Sequence, residues 1–251
     1  MFNRNELLLA NEASLTSSLL GNGLNALRQA TIYNKGLYYQ AFFSLSIGIE
    51  RLLKIIIICK YRCKHDGQFP ENISLKDMGH DLIKLCQYNN VDFKNNMIHT
   101  KLIAFLNNFA KNARYYNVDS MIGKTTKHDD PLAEWAEIEN DIIYTIGKRK
   151  NIQNKEILAQ LMDGVMIIRQ HDLHGNAMTN SMDLLTEFED RDTIKGYPVQ
   201  YIFEIITKLV EIIRRLEREM YLMPVLSEFF VLYNKHLRPF EIRKKKNWLK
   251  I

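Results

Sequence analysis

The chain is poor in three residue types that whole classes of protein need. It has 3 cysteines, 5 prolines and 11 glycines in 251 residues. The cysteines, Cys59, Cys63 and Cys86, are odd in number and form no Cys-x-x-Cys pair, which argues against a disulfide framework and a zinc site. So few prolines and glycines do not supply the tight turns of an all-β domain. The sequence predicts reduced thiols, no metal and no cofactor.

A long uninterrupted apolar run is also missing. The longest apolar stretch, residues 41–59, contains three charged residues near its middle, Glu50 among them. A membrane-spanning helix does not tolerate three such charges. The first fifteen residues carry two glutamates and lack the pattern of a secretory signal. We therefore expect a cytoplasmic protein with no membrane partner.

The composition is that of a folded globular protein. Hydrophobic residues make up 46% of the chain and charged residues 25%. The formal net charge is +5, which permits a polyanionic partner without requiring one. A chain of this length can bury one large core, or one core with an appendage.

Apolar residues recur at helical spacing through most of the chain, which predicts an all-α fold. The predicted helices cover residues 36–61, 77–88, 96–116, 131–146, 155–170 and 199–223. Residues 117–130 are expected to be irregular, and residues 183–196 exposed. In the helix 155–170, the side chains predicted to face inward are those of Leu158, Leu161, Val165 and Ile168.

The last long helix carries a seam of apolar residues at alternating spacings of three and four. Its members are Ile206, Leu209, Ile213, Leu216, Met220 and Met223. This spacing is typical of coiled coils. Two interpretations stay open, namely packing on the helix's own domain and a seam between two copies of the chain.

The C-terminal tail, residues 242–251, is basic and contains Trp248. A solvated, poorly ordered tail is one interpretation. Contact with RNA or an acidic membrane surface is the other.

The segment most suggestive of chemistry places Arg169 five residues before His174, with Gly175 and Asn176 directly after. A histidine can move a proton to or from a ribose hydroxyl or a leaving oxygen. An arginine can stabilise charge that gathers on a phosphate. We predict Arg169 and His174 as catalytic residues for RNA cleavage.

Three neighbouring positions are predicted to bind RNA or assist, namely Gln170, His171 and Asn176. The alternative for the whole segment is a pair of cations at a helix end that interact with backbone carbonyls. On a continuous helix the five-residue offset would turn the Arg169 and His174 side chains about 140° apart. Gly175 and Asn176 are good helix terminators, so one solution is that His174 lies on a broken last turn of the helix. The other is that a residue from a second protomer completes the pair.

Three strings, in order along the chain, resemble the HEPN superfamily of helical-bundle proteins. They are GIERLLK at 48–54, GHDLIKL at 79–85 and RQHDLHG at 169–175. The resemblance covers residues 24–185 and implies an antiparallel helical bundle with added C-terminal helices. It divides the chain into a HEPN-like domain, 1–190, and a C-terminal helical extension with a basic tail, 191–251, packed on the same core.

The resemblance also implies an activity. Catalytic HEPN proteins are homodimeric, metal-independent endoribonucleases that use an Arg-x4-6-His motif, and many act as toxins or in anti-phage defence. The implied partners are RNA, a second copy of the chain, and an antitoxin or regulatory protein.

A second stretch offers a rival position for the family motif. Arg114 begins RYYNVD, which resembles the Arg-Tyr stretches of HEPN proteins that pair with nucleotidyltransferases. Arg114 is therefore a further candidate for RNA binding. The alternative function is a non-catalytic helical dimer that binds RNA or a partner protein.

Overall fold

The structure is a computed structural model that describes residues 3–70, 79–123, 130–147, 154–163, 170–220, 224–234 and 236–249. These residues are predominantly helical, as the sequence predicts, with one two-stranded sheet. The α-helices are Arg4–Gln29 (α1), Gly36–Lys64 (α2), Leu82–Tyr88 (α3), Met97–Asn108 (α4), Tyr116–Met121 (α5), Pro131–Ile146 (α6), Lys155–Asp163 (α7), Ser181–Ile194 (α8), Tyr197–Met220 (α9) and Pro239–Lys244 (α10). The two strands are Gln170–His171 (β1) and Ala177–Met178 (β2). A π-helical turn covers Phe109–Ala113, and a 3₁₀ turn covers Leu226–Phe230.

Helix α1 was not expected from the sequence, yet a clear local signal begins it. The Asn3 side chain accepts a hydrogen bond from the Glu6 backbone N–H, and the Glu6 carboxylate accepts one from the Asn3 backbone N–H. This reciprocal pair is a capping box, which satisfies backbone donors that would otherwise be left open at the first turn. Leu9, Ala13 and Leu20 then face the core.

Helices α1 and α2 form an antiparallel pair. Between the two helices, Oε1 of Glu12 lies 2.5 Å from Nη1 of Arg51. Further along, Gly48 lies against Leu20, and a β-carbon built on Gly48 would come within 2.8 Å of Leu20 Cδ2. The glycine of the GIERLLK string is therefore explained by close packing of the two helices, which leaves no room for a side chain.

Helix α9 packs against both α1 and α2. Four residues of its apolar seam are buried in the chain's own core, namely Ile206, Leu209, Ile213 and Leu216. Their burial favours intramolecular packing over a seam between two copies. The Met220 side chain and Met223 lie outside the described residues.

The predicted helix boundaries agree with the structure at some ends and differ at others. Helix α2 begins at Gly36 and α6 at Pro131, as predicted, and Asp130 caps α6 by accepting a hydrogen bond from Leu132 N. The helix predicted over 96–116 is α-helical only from Met97 to Asn108, and α5 forms where an irregular segment was expected. The start predicted at residue 77 lies outside the described residues.

Two predictions in the C-terminal half were wrong. Residues 183–196 were expected to be exposed, but most of them belong to α8, which buries Leu184, Leu185 and Ile194. In α7, Leu158 and Leu161 are exposed, and Ala159 is the buried residue of that helix. The apolar spacing identified α7 as a helix but not the face that its neighbour α8 covers. Val165 and Ile168 lie outside the described residues.

The basic tail is packed as far as its tryptophan. The indole of Trp248 is 1% exposed and lies 5.0 Å from the ring of Phe203, centroid to centroid. The Trp248 backbone N–H donates to Asn25 Oδ1 at 2.8 Å. The prediction of a solvated tail was wrong here because burial of a large aromatic side chain outweighs the hydration of its basic neighbours.

The described cysteines are free thiols, with Cys59 and Cys86 buried. Burial raises the pKa of Cys59 to about 12, with a smaller contribution from Glu217. Such a thiol stays protonated and unreactive. In the described parts of the chain, every helix is too short or too polar to cross a bilayer.

Candidate functional site

The segment that contains His174 forms a small β-hairpin. In this hairpin Gln170 pairs with Met178, and His171 pairs with Ala177. Gly175 has a φ of +83°, the left-handed conformation that glycine adopts without steric cost. The sequence predicted that a helix extends to Gln170, but Gln170 lies in β1, so that boundary was wrong. The glycine expected to end a helix instead shapes the hairpin turn.

Asp172 organises the turn. Its carboxylate accepts hydrogen bonds from the Asn176 backbone N–H at 2.8 Å and from Asn176 Nδ2 at 3.0 Å. The Asp172 backbone N–H in turn donates to the Asn176 carbonyl at 3.0 Å. Burial tends to raise the pKa of Asp172, but the hydrogen bonds from Asn176 outweigh it and lower the pKa below its usual range. The ionised carboxylate is therefore the form that holds the turn together.

The hairpin is fixed to the connection between α1 and α2. Gln170 Nε2 donates to the Ile32 carbonyl at 2.7 Å, and Lys35 Nζ donates to the Asp172 carbonyl at 2.7 Å. Leu173 and Met178 are buried in the core on the inner side of the hairpin. A nine-residue segment with two apolar anchors and two such hydrogen bonds holds its outer side chains in defined positions.

His174 lies at the exposed turn of this hairpin. Its Nε2 is 3.7 Å from Oε1 of Glu137, on α6, and the two side chains are 31% and 69% exposed. This separation is too long for a hydrogen bond, but the carboxylate attracts a protonated imidazole. An accessible histidine beside a carboxylate is an arrangement that can accept and return a proton. The sequence did not identify Glu137 as a neighbour of His174, because the two residues are 37 positions apart in the chain.

The other predicted site residues have different surroundings. Arg169 lies outside the described residues. His171 is exposed on β1, whereas the Gln170 amide bonds to Ile32 and the Asn176 amide bonds to Asp172. These two amides stabilise the position of the turn.

Arg114 occupies a separate position, directly after the π-helical turn. Its Nε and Nη2 are buried and have no hydrogen-bond partner. Among the residues that the structure describes, no hydrogen bond or ion pair joins Arg114 to the hairpin. The two rival positions of the family motif are therefore not linked by direct polar contacts.

The first two HEPN-like strings meet in space. Glu50 of GIERLLK lies 2.7 Å from Lys54 Nζ and 2.8 Å from Nδ1 of His80, which belongs to GHDLIKL. Lys54 Nζ also donates to the Gly79 carbonyl at 3.2 Å. Burial tends to raise the pKa of Glu50, but the bonds from Lys54 and His80 outweigh it and lower the pKa. These contacts hold the segment before α3 against the middle of α2.

A buried ionic network lies close to the hairpin. Glu139 of α6 accepts a hydrogen bond from Trp135 Nε1 at 2.8 Å and pairs with Arg191 of α8 at 2.5 Å. Burial raises the pKa of Glu139 against the attraction of Arg191. Both residues line a cavity of about 40 Å³ that also includes Ile32, the residue to which Gln170 binds. The cavity has room for about three water molecules.

Comparison with known proteins identifies no relative: no family model, no curated protein and no solved structure matches this chain. In the described part of the chain, no three histidine, cysteine or acidic side chains are grouped so that they could hold a metal ion. The arrangement of side chains around the hairpin is therefore the basis for a functional proposal.

Proposed function

We propose that the protein is a HEPN-like, metal-independent endoribonuclease in which His174 transfers the proton. The observation that carries this proposal is the exposed imidazole of His174, on an anchored hairpin and 3.7 Å from Glu137. General acid–base catalysis needs an accessible group of suitable pKa in a defined position. Histidine has the side chain whose ordinary pKa lies closest to neutral pH.

The proposed reaction cleaves the RNA backbone without an external nucleophile. The 2′-hydroxyl loses its proton, and its oxygen attacks the adjacent phosphorus. The bond from phosphorus to the 5′-oxygen breaks, and that oxygen takes up a proton. The products are a 2′,3′-cyclic phosphate and a free 5′-hydroxyl, and His174 serves one or both of the proton transfers.

Two other side chains have supporting roles in the proposal. Arg169, five residues before His174, stabilises negative charge on the phosphate in the transition state. The Glu137 carboxylate, 3.7 Å from the imidazole, attracts positive charge that develops on His174 during proton transfer. Asp172 is a positioning residue, because it acts on the turn through Asn176 and does not touch the substrate.

The biological setting follows from the resemblance. We propose a homodimer whose cleft collects the arginine and histidine of both protomers. Such an enzyme would act as a toxin or an anti-phage effector in the cytoplasm and would be restrained by an antitoxin or regulatory protein.

The test is cleavage of total RNA and transfer RNA by the purified protein in EDTA. The variants are His174→Ala and Arg169→Ala, and the matched control is His236→Ala, which removes another exposed histidine. We expect cleavage by the wild type and the control, with cyclic phosphate ends, and its loss in the other two variants. Cleavage that persists in His174→Ala would refute the assigned role, and the absence of cleavage by the wild type would contradict the enzyme proposal.

A non-catalytic RNA-binding module is the second candidate. It is favoured by the anchoring of the hairpin, in which the Gln170 amide bonds to Ile32 and the Asn176 amide bonds to Asp172, because a rigid element of this kind suits recognition as much as reaction. In that case His174→Ala would weaken RNA binding, while the wild type would show no turnover.

A further inference from the structure

A second candidate site lies at the other end of α2. Here Lys60 of α2, Lys208 and Arg215 of α9, and residues 89–92 between α3 and α4 surround a cavity of about 370 Å³. Cavities of this size hold small organic ligands. Lys60 follows Lys35, which anchors the hairpin, by 25 positions on α2, so the two regions are about 37 Å apart along the helix.

The cavity has an excess of positive charge. Lys60 Nζ donates to the Asn89 carbonyl at 2.6 Å, and Lys208 Nζ donates to the Asp92 carbonyl at 2.6 Å. An ammonium group has three N–H donors, so each lysine keeps two for a ligand. Arg215 is 60% exposed in its side chain and forms an ion pair with Glu219 at 3.8 Å, a separation too long for a hydrogen bond. The lining thus contains three cations and one carboxylate, that of Asp92.

The neighbouring positive charges affect the pKa of Lys60. Burial lowers the pKa of Lys60, and the positive charges of Arg215 and Lys64 lower it further. A bound anion would offset this repulsion and favour the charged form of Lys60. The carbonyl oxygens carry no full charge, and the single carboxylate of the lining, that of Asp92, does not compensate for three cations.

The side chain of Asn89 provides a buried hydrogen-bond acceptor at the cavity. It lines the cavity and is only 2% exposed. Its Nδ2 donates to the carbonyls of Leu53 and Leu85 at 3.1 and 3.0 Å, which fixes the orientation of the amide. Its Oδ1 is buried and has no hydrogen-bond partner in the described structure. A donor from a ligand or a water molecule can satisfy a buried acceptor of this kind.

We infer that this cavity binds the phosphate group of a nucleotide. Lys60, Lys208 and Arg215 contact the phosphate oxygens, for which lysine and arginine are the usual partners. Oδ1 of Asn89 accepts a hydrogen bond from a hydroxyl or amino group of the same ligand. The phosphate belongs either to a free mononucleotide or to the phosphorylated end of an RNA strand.

Calorimetric titration of the full chain tests the inference. The probes are inorganic phosphate, adenosine 5′-monophosphate, adenosine, and one short RNA strand with and without a 5′-phosphate. The variants are Lys208→Gln and Arg215→Gln. The matched controls are Lys101→Gln and Arg238→Gln, whose charged groups pair with Asp141 and Glu241 elsewhere on the surface.

We expect saturable binding of the mononucleotide that weakens about tenfold in each cavity variant, as for loss of one charge-assisted hydrogen bond. Both controls should bind like the wild type. Binding of the mononucleotide no tighter than that of inorganic phosphate would overturn the role of Asn89. Preference for the 5′-phosphorylated RNA over the mononucleotide would identify an RNA end as the source.

The site itself would be refuted if no phosphate-bearing probe bound at millimolar concentration, or if the control variants lost as much affinity. Circular dichroism of each variant checks that the fold is intact. The titrations with phosphate, adenosine 5′-monophosphate and adenosine involve no RNA and no substitution in the hairpin, so their outcome is independent of whether His174 is catalytic.

Discussion

Removal of the buried indole near the C-terminus tests whether the tail belongs to the cooperative fold. Trp248 is 1% exposed and packs against Phe203, and its backbone N–H bonds to Asn25. We predict that Trp248→Ala lowers the free energy of unfolding by about 3–4 kcal/mol.

The magnitude follows from the buried surface. A tryptophan side chain buries about 200 Å², and at about 25 cal/mol per Å² its transfer from water contributes about 5 kcal/mol. Part of this gain is already offset, because Nε1 of Trp248 is buried without a hydrogen-bond partner in the described structure, at a cost of about 1–2 kcal/mol. For a chain of this size, the predicted loss corresponds to a fall in Tm of roughly 6–16 °C.

Urea unfolding followed by far-ultraviolet circular dichroism measures the effect without relying on tryptophan fluorescence, which the substitution itself changes. Trp248→Phe is the matched control, since it keeps a ring and removes the unpaired N–H, and its loss should be about 1 kcal/mol. A loss below about 1 kcal/mol for Trp248→Ala would refute the reasoning. It would mean that the tail detaches as a separate, weakly held segment.

Two further predictions concern ionised carboxylates. Asp172→Ala removes the acceptor for both hydrogen bonds from Asn176, so hydrogen exchange in residues 170–178 should speed up about fivefold, equivalent to about 1 kcal/mol after solvent screening; unchanged exchange would contradict the role assigned to this carboxylate. Glu50 has a lowered pKa in the folded state, so its contribution to stability is present above its unfolded pKa and is lost as pH falls through the folded value. The free energy of unfolding of the wild type, measured with urea, should therefore fall more steeply between about pH 5 and pH 3 than that of Glu50→Gln. An equal dependence on pH in the two proteins would count against the role of Glu50 with Lys54 and His80.

The helices were predictable where the apolar spacing and the caps agree. Helix α2 carries buried residues on successive turns, and α6 begins with Asp130 followed by proline. The same kinds of signal were present for α1, with the Asn3–Glu6 capping box and the buried residues Leu9, Ala13 and Leu20. The sequence therefore contained enough information to identify α1.

The hairpin could not be predicted by the same reasoning. The residues that suggested a helix end, Gly175 and Asn176, fit a hairpin turn equally well, because Gly175 is left-handed in either case. Its position is set by contacts far away in sequence, such as those with Ile32 and Glu137. The basic cavity is similarly non-local, since Lys60 and Lys208 are almost 150 positions apart.

Helix α2 supports the hairpin, the segment before α3 and the basic cavity. Lys35, at its N-terminal cap, holds the hairpin, Glu50 in its middle holds the segment before α3, and Lys60 near its C-terminal end lines the basic cavity. Because one rigid element supports all three, a substitution in its buried face would disturb them together and could not separate their roles. Substitutions on the partner elements, such as His174 on the hairpin and Arg215 on α9, leave the helix intact. They therefore report on one region at a time, and a nuclease defect without a nucleotide-binding defect, or the reverse, would show that the two sites act independently.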